Sequence, residues 1–208
     1  MKQVHNYWLP DSDNHFERLI TKRIKNGGPA EYQDDVRDAA YPHVEDFDVC
    51  IDVGANVGFW TKPLTEKFKK VIAFEPMLQV YECLEKNVAG LNVDIHRCAL
   101  GDQNTSAEFN FDEVNTGATA IDLTTLGSGS INVWKLDDLN IPKFGMIKID
   151  CERYDLEVLK GAIETLLKYK PVVVVEQHPD TDCRAGDFLK AHGAKEVTNV
   201  RKDFIFKW

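Results

Sequence analysis

Apolar and polar positions follow two rhythms along this chain. From Val49 onward, short runs that are apolar nearly throughout alternate with longer stretches whose apolar residues recur every three or four positions. The runs are "VCIDV", "KVIAFEP", "VDIHRCAL", "MIKID" and "PVVVVEQ". A strand apolar on both sides needs cover on both sheet faces, the condition of a parallel sheet flanked by helices. The stretches between supply the helices. Phe59, Leu64 and Phe68 follow the first run at helical spacing. "LQVYECLEKNVAG" carries Leu78, Tyr81, Leu84 and Val88 in the same way, with Pro76 ahead of its start and Gly90 suited to its carboxyl end. "YDLEVLKGAIETLLKY" reads as one helix after the fourth run. The alternation predicts an α/β fold, doubly wound around a mostly parallel sheet.

One interval breaks the rhythm. Asp102 to Leu139 is rich in Thr, Ser, Asn and Gly, with strand-like pieces "AEFNF" and "SINVWKL" and no convincing helix. It reads as an antiparallel excursion over one end of the sheet. The last segment predicts a helix, a turn at Gly193 and a closing pair of strands. Residues 1–45 read as a mostly helical amino-terminal cap, with "NYWLP" packed on the core, and residues 46–208 as the main unit. At 208 residues the chain suits a single structural domain.

Composition narrows the possible partners. Hydrophobic residues make up 43% and charged residues 28%, ordinary for a soluble globular protein. No run is long enough to span a membrane, and the first residues lack the apolar core of a secretion signal. The net charge of -9 opposes a nucleic-acid backbone, and "TKRIKNGG" is too short a basic patch to reverse that. The five cysteines are widely spaced without a C-x-x-C pair, so no disulfide framework or zinc knuckle is expected. A reducing, cytoplasmic setting follows.

The first run ends in "DVGANVG", and two readings of Gly54, Asn56 and Gly58 stand: a tight strand-to-helix turn, or a loop whose backbone must approach a ligand. Glu75 ends the second run 21 residues after Gly54, where a carboxylate accepts ribose hydroxyls. Together they favour a nucleoside-containing cofactor. The dinucleotide spacing G-x-G-x-x-G is absent, and so is the Lys-Ser/Thr of a phosphate loop. A pyrophosphate therefore lacks its usual holders. S-adenosyl-L-methionine has no pyrophosphate; its amino-acid end needs an acid for its ammonium, and Asp52 is placed for that.

"IDVGANVGFW", "VIAFEP", "CALGD", "IKIDCERYDLEVLKGA" and "PVVVVEQHP" resemble the successive motifs of the FkbM family of S-adenosylmethionine-dependent methyltransferases, from about Tyr32 to His178. The resemblance implies the class I methyltransferase (Rossmann-like) fold and O-methylation of a small molecule or sugar, with no nucleic-acid or membrane partner. It implies that Asp52, Gly54 and Asn56 line the methionine end and that Glu75 binds the ribose, with Gly58 and Pro76 also counted as cofactor-binding. Leu100, Gly101 and Asp102 would border the adenine, and Tyr32 would reach over the cofactor. One position departs: members often carry glycine after the acid of I-K-I-D-x-E-G, and here the residue is Arg153.

Methyl transfer to oxygen needs an aligned hydroxyl and a base for its proton. The polar groups at the carboxyl ends of the fourth and fifth runs, Asp150, Glu152, Glu176 and His178, are the candidates. Asp150, Glu176 and His178 are assigned as catalytic, with Asp150 also near the cofactor, while Glu152 could be no more than a solvated first-turn carboxylate. Asp150, Glu176 and His178 could instead gather round Mg²⁺ or Ca²⁺, but no metal is assigned. "NTGAT", residues 115–119, could fold over the site. The rival readings are a nucleotide-dependent oxidoreductase and a non-catalytic cofactor-binding module.

Overall fold

The computed structural model describes residues 1–110, 120–121, 130–177 and 182–208. Seven strands form the main sheet. In chain order they are β3 (Val49–Val53), β4 (Lys70–Phe74), β5 (Val93–His96), β10 (Met146–Ile149), β11 (Val172–Glu176), β12 (Lys195–Val200) and β13 (Asp203–Lys207). Their spatial order is β12-β13-β11-β10-β3-β4-β5. The five from β11 to β5 run parallel, and β13 and β12 extend the sheet antiparallel.

Period two within each strand explains the double cover. Val49, Ile51, Val53, Ile147, Ile149, Val173 and Val175 share one core. Their alternate neighbours Cys50, Met146, Val172 and Val174 share another. The first core is closed by α5 (Asp155–Lys160), α6 (Ile163–Tyr169) and α7 (Arg184–Ala191) through Val158, Leu159, Ala162, Leu166 and Leu189. The second is closed by α2 (Asp34–Ala40) and α3 (Thr61–Leu64) through Val36, Ala40, Trp60 and Leu64. The helix α4 (Leu78–Asn87) sets Leu84 and Val88 against Ala55 and Ala73.

Four expectations are revised. The run "VDIHRCAL" is two strands: β5 joins the main sheet, and β6 (Ala99–Leu100) joins a smaller one ordered β6-β9-β7-β8, with β7 (Thr105–Asn110), β8 (Ala120–Ile121) and β9 (Ser130–Trp134). That smaller sheet is the excursion; β7 is antiparallel to β8 and β9, while β6 is parallel to β9. The single helix after β10 is broken into α5 and α6 at Gly161, where a Cβ would lie 1.9 Å from the Gly101 carbonyl oxygen. The helix after the glycine loop is only four residues long, although Phe59, Leu64 and Phe68 are all buried. Finally, the amino-terminal segment opens with an antiparallel pair, β1 (Lys2–Val4) and β2 (Tyr7–Leu9), before α1 (His15–Lys25). Tyr7, Leu9, Phe16 and Ile20 pack there against Val57, Phe59 and Val80.

Candidate active site

Strand order reverses between β3 and β10, the place where open α/β sheets gather ligands beyond their carboxyl ends. A cleft of about 1110 Å³, its open mouth included, lies there. Its floor is Gly54, Ala55, Asn56, Lys148 and Asp150, with Glu75, Pro76 and Met77 to one side. Cys98, Ala99, Leu100 and Ile131 form an apolar wall, and Tyr32, Gln33 and Trp60 close the opposite one.

The loop "GANVG" takes its shape from left-handed backbone at every second residue: φ is 78° at Gly54, 51° at Asn56 and 94° at Gly58. Gly54 is required by the protein itself. A Cβ there would sit 2.1 Å from the Asp150 backbone oxygen, so the missing side chain is what admits the neighbouring strand end. Gly58 does not line the cleft; its face meets Leu84, 2.9 Å from where a Cβ would stand. Every N–H of the loop is taken. Gly54 and Ala55 donate to the Phe74 carbonyl, Asn56 to Glu75 Oε2 at 2.9 Å, Val57 to Asn56 Oδ1 at 2.7 Å, and Gly58 to the Ala55 carbonyl. No loop N–H from residue 54 to 58 is left to bind a phosphate.

Glu75 accepts a second bond, from the Met77 N–H to Oε1 at 2.9 Å. Burial pushes its acid up to about 7, against the lowering effect of those two N–H donors. A carboxylate has about four acceptor positions, so two remain for hydroxyls.

The floor also holds a charged group that the sequence pattern did not reveal. Lys148 stands in the middle of β10, level with Asp52 in β3, and is 4% exposed. Its Nζ is 3.2 Å from Asp150 Oδ2 and 3.9 Å from Asp52 Oδ1. It also lies 5.5 Å above the Trp60 ring. Burial works against the ammonium, but Asp150 and then Asp52 outweigh it and hold Lys148 above the ordinary lysine value. Asp52 is wholly buried, accepts from Thr61 Oγ1 at 2.6 Å, and leaves Oδ1 without a hydrogen bond. Burial raises its acid, with Lys148 opposing. Asp52 does not line the cleft, so the expected direct contact with a ligand ammonium is replaced by a place in the foundation. The available signal was a lysine inside an apolar run, in register with an aspartate inside another.

Tyr32, Gly54, Asn56, Glu75, Pro76, Leu100, Asp150 and Glu176 are brought together around the cleft. Gly101 and Asp102 lie outside it; Gly101 packs against Val133 and Tyr154. His178 and the segment 115–119 lie outside the described residues. Asp150 does not cap the next helix, whose N-cap position is Tyr154 with no side-chain cap bond; Asp155, its first residue, accepts from the Cys151 N–H at 3.0 Å and so ties down the turn ahead of it. Glu152, which the sequence left between a site role and a solvated first-turn carboxylate, lines the cleft at φ 46°, followed by Arg153 at φ 74°. Burial, then the charges of Asp150 and Glu176, push Glu152 up to about 7. Among the described residues no group of three or more His, Cys, Asp or Glu side chains is arranged to hold a metal ion, and no helix is long and apolar enough to cross a membrane.

The sheet order, the reversal point and the cleft above it define a class I methyltransferase fold. Residues 52–195 match the methyltransferase FkbM domain, and the chain belongs to that family of methyltransferases. Over 169 residues it is 29% identical to the hexuronic acid methyltransferase AglP of Haloferax volcanii, covering 78% of this chain and 70% of that protein. Among solved structures it resembles the methyltransferase FkbM of Methylobacillus flagellatus, with a TM-score of 0.55 and 19% identity. That overlap covers 77% of this chain but only 43% of the other. A Streptococcus mutans protein provisionally designated a methyltransferase, solved in complex with SAH, overlays with a TM-score of 0.52 at 12% identity, over 86% of this chain and 99% of that one.

Proposed function

We propose that this protein transfers a methyl group from S-adenosyl-L-methionine to a hydroxyl of a saccharide, with an acidic sugar as the acceptor class. The observation that carries the cofactor reading is the loop whose N–H groups are all consumed, above a cleft lined by four carboxylates and one ammonium. Such a site has no device for a pyrophosphate, which disfavours the dinucleotide alternative, and its excess of acids suits a sulfonium cation. The acceptor class is suggested by the relative named for hexuronic acid methylation.

Glu75, with two acceptor positions left, is the ribose contact. The Lys148–Asp150 pair presents a cation beside an anion, the complement of a zwitterionic amino acid, and Leu100 and Ile131 give the adenine an apolar wall. Tyr32 closes the cleft from the other side. Bound there, S-adenosyl-L-methionine supplies an electrophilic methyl group. Asp150 is held by Lys148, which suits it to binding more than to proton removal. Glu152 is the better base: it lines the cleft and ionises near 7, where a general base works well. The Glu176 charge helps keep the Glu152 acid raised, and His178 remains a second candidate by its position after β11.

The test is release of S-adenosylhomocysteine from S-adenosylmethionine with uronic-acid glycosides, together with calorimetry against S-adenosylhomocysteine and NAD. Tighter binding of NAD, or no turnover with any sugar, would overturn the reading. Glu152→Gln should lower kcat by roughly 10²–10⁴-fold with cofactor affinity retained. If His178→Asn shows that loss and Glu152→Gln does not, the base is His178.

A further inference from the structure

We infer that Arg153 is the contact for the acceptor's carboxylate, the residue that selects acidic over neutral sugars. The inference rests on the saccharide reading above and adds what that reading lacks, a source of acceptor choice within this chain.

An acidic sugar meets an unfriendly cleft. Glu75, Asp150, Glu152 and Glu176 repel its carboxylate, and Lys148, buried beside Asp150, is committed to the cofactor's amino-acid end in the reading above. The carboxylate must be met at the rim. Beside Glu176 the cleft adjoins a small recess lined by Arg153, Asp155, Leu156, Asp182, Arg184 and Ala185, with Glu176 in the wall of both, so that Arg153 and Arg184 are the cations set against its acids. Arg184 is occupied by Asp182, which takes two bonds from it at 3.0 and 2.8 Å. Arg153 is exposed and, among the described residues, has no hydrogen bond or ion pair of its own. Its guanidinium fork is the geometry that grips a carboxylate through two parallel bonds.

The backbone gives a second, independent reason. Glu152 and Arg153 are consecutive residues in the left-handed region, at φ 46° and 74°. Glycine adopts that conformation without strain, and a long side chain does not. An arginine kept where glycine would relax the turn is accounted for by what its side chain does. The turn sets a base in the cleft and a cation on the rim in successive positions. A carboxylate drawn outward by Arg153 and pushed from the floor by the acids leaves the sugar's hydroxyl edge facing Glu152.

The test compares a hexuronic acid glycoside with its neutral hexose and its uronamide, in the wild type, Arg153→Gly and Arg153→Lys. Thermal denaturation and S-adenosylhomocysteine calorimetry are run on each variant. The wild type should prefer the acid. Arg153→Gly should fold at least as stably, bind the cofactor alike, and lose roughly 10- to 100-fold of the acid-over-neutral ratio, chiefly through KM. Arg153→Lys should recover part of that ratio. An unchanged ratio in Arg153→Gly, with higher stability, would show that Arg153 is only a strained turn residue and overturn the inference. A wild type that methylates neutral and acidic sugars equally would overturn it too, while leaving the saccharide reading intact. Turnover with no sugar at all would overturn both.

Discussion

Glu75 offers a pH signature that few other assignments would produce. Its carboxyl is 6% exposed, bonded to the Asn56 and Met77 N–H groups, and raised to about 7 by burial. Ribose hydroxyls donate to the ionised form. At pH 6 about a tenth of such a group is ionised, and at pH 8 about nine-tenths, so affinity should rise about tenfold, or ~1.4 kcal/mol, across that interval. The probe should be 5′-methylthioadenosine, which keeps the ribose but has no amino acid to titrate against Asp150 and Lys148. Glu75→Gln should abolish the dependence, because the amide does not ionise. It should also weaken binding by ~1–3 kcal/mol, the cost of stranding hydrogen-bonding groups in a buried place. The amide has one acceptor oxygen for two backbone donors, so a similar loss of stability is expected, and binding must be measured on protein shown by its melt to be folded. A pH dependence that survives in Glu75→Gln would refute the argument, as would wild-type affinity unchanged between pH 6 and 8.

Three further outcomes are expected. Gly54→Ala should damage the fold and not merely the binding, since its Cβ meets the Asp150 oxygen at 2.1 Å and φ is 78°; a cost of ~2–4 kcal/mol in chemical denaturation is expected, and a variant of normal stability with weakened binding would contradict this. Asp155, Asp203, Glu75 and Glu152 are all raised to about 7, chiefly by burial, from ordinary values of 3.8 or 4.5. A raised folded value means stability fully present below the unfolded one and lost as pH climbs through about 7, so the ligand-free melting temperature should fall from pH 5.5 to 8, and a rise would count against the cluster. Lys148→Met should destabilise by ~3–5 kcal/mol by removing the cation set against buried Asp52 and Asp150, and adding Asp52→Asn should restore part of it; a double-variant loss equal to the sum of the two single-variant losses would show that Lys148 and Asp52 are not coupled.

The parallel strands were legible because burial on both faces leaves continuous apolar runs, and the alternation of Val49, Ile51 and Val53 with Cys50 into two cores is the physical form of that pattern. What escaped was contact between segments distant in sequence. Nothing local in "KGAIE" shows that Gly101 packs on Gly161 and divides the helix. The three-residue strands at Lys2–Val4 and Tyr7–Leu9 are too short to display a period. In the site, Glu75 and Asn56 were readable because motif and strand end coincide. Lys148 was not, because its meaning depends on the register that sets it opposite Asp52. Asp52, the acid of the first motif, proved to be fully buried. The arginine in place of a glycine at position 153 was visible as an anomaly, and the left-handed φ gives it a physical content.

The antiparallel strand β13 has a consequence for synthesis on the ribosome. Asp203 accepts from Gln33 Nε2 at 3.2 Å, and Gln33 Oε1 accepts from Trp60 Nε1 at 2.6 Å. Arg201 pairs with Asp35, and Lys207 with Glu45 at 2.6 Å. The wall that closes the cleft is thus fastened by residues translated some 170 positions after it. Until they emerge, a nascent chain carries β11, with its four valines, as an open sheet edge, a template for pairing with other chains. The cleft is completed only once β13 has emerged, and the interval between β11 and β13 is when a chaperone has most to protect.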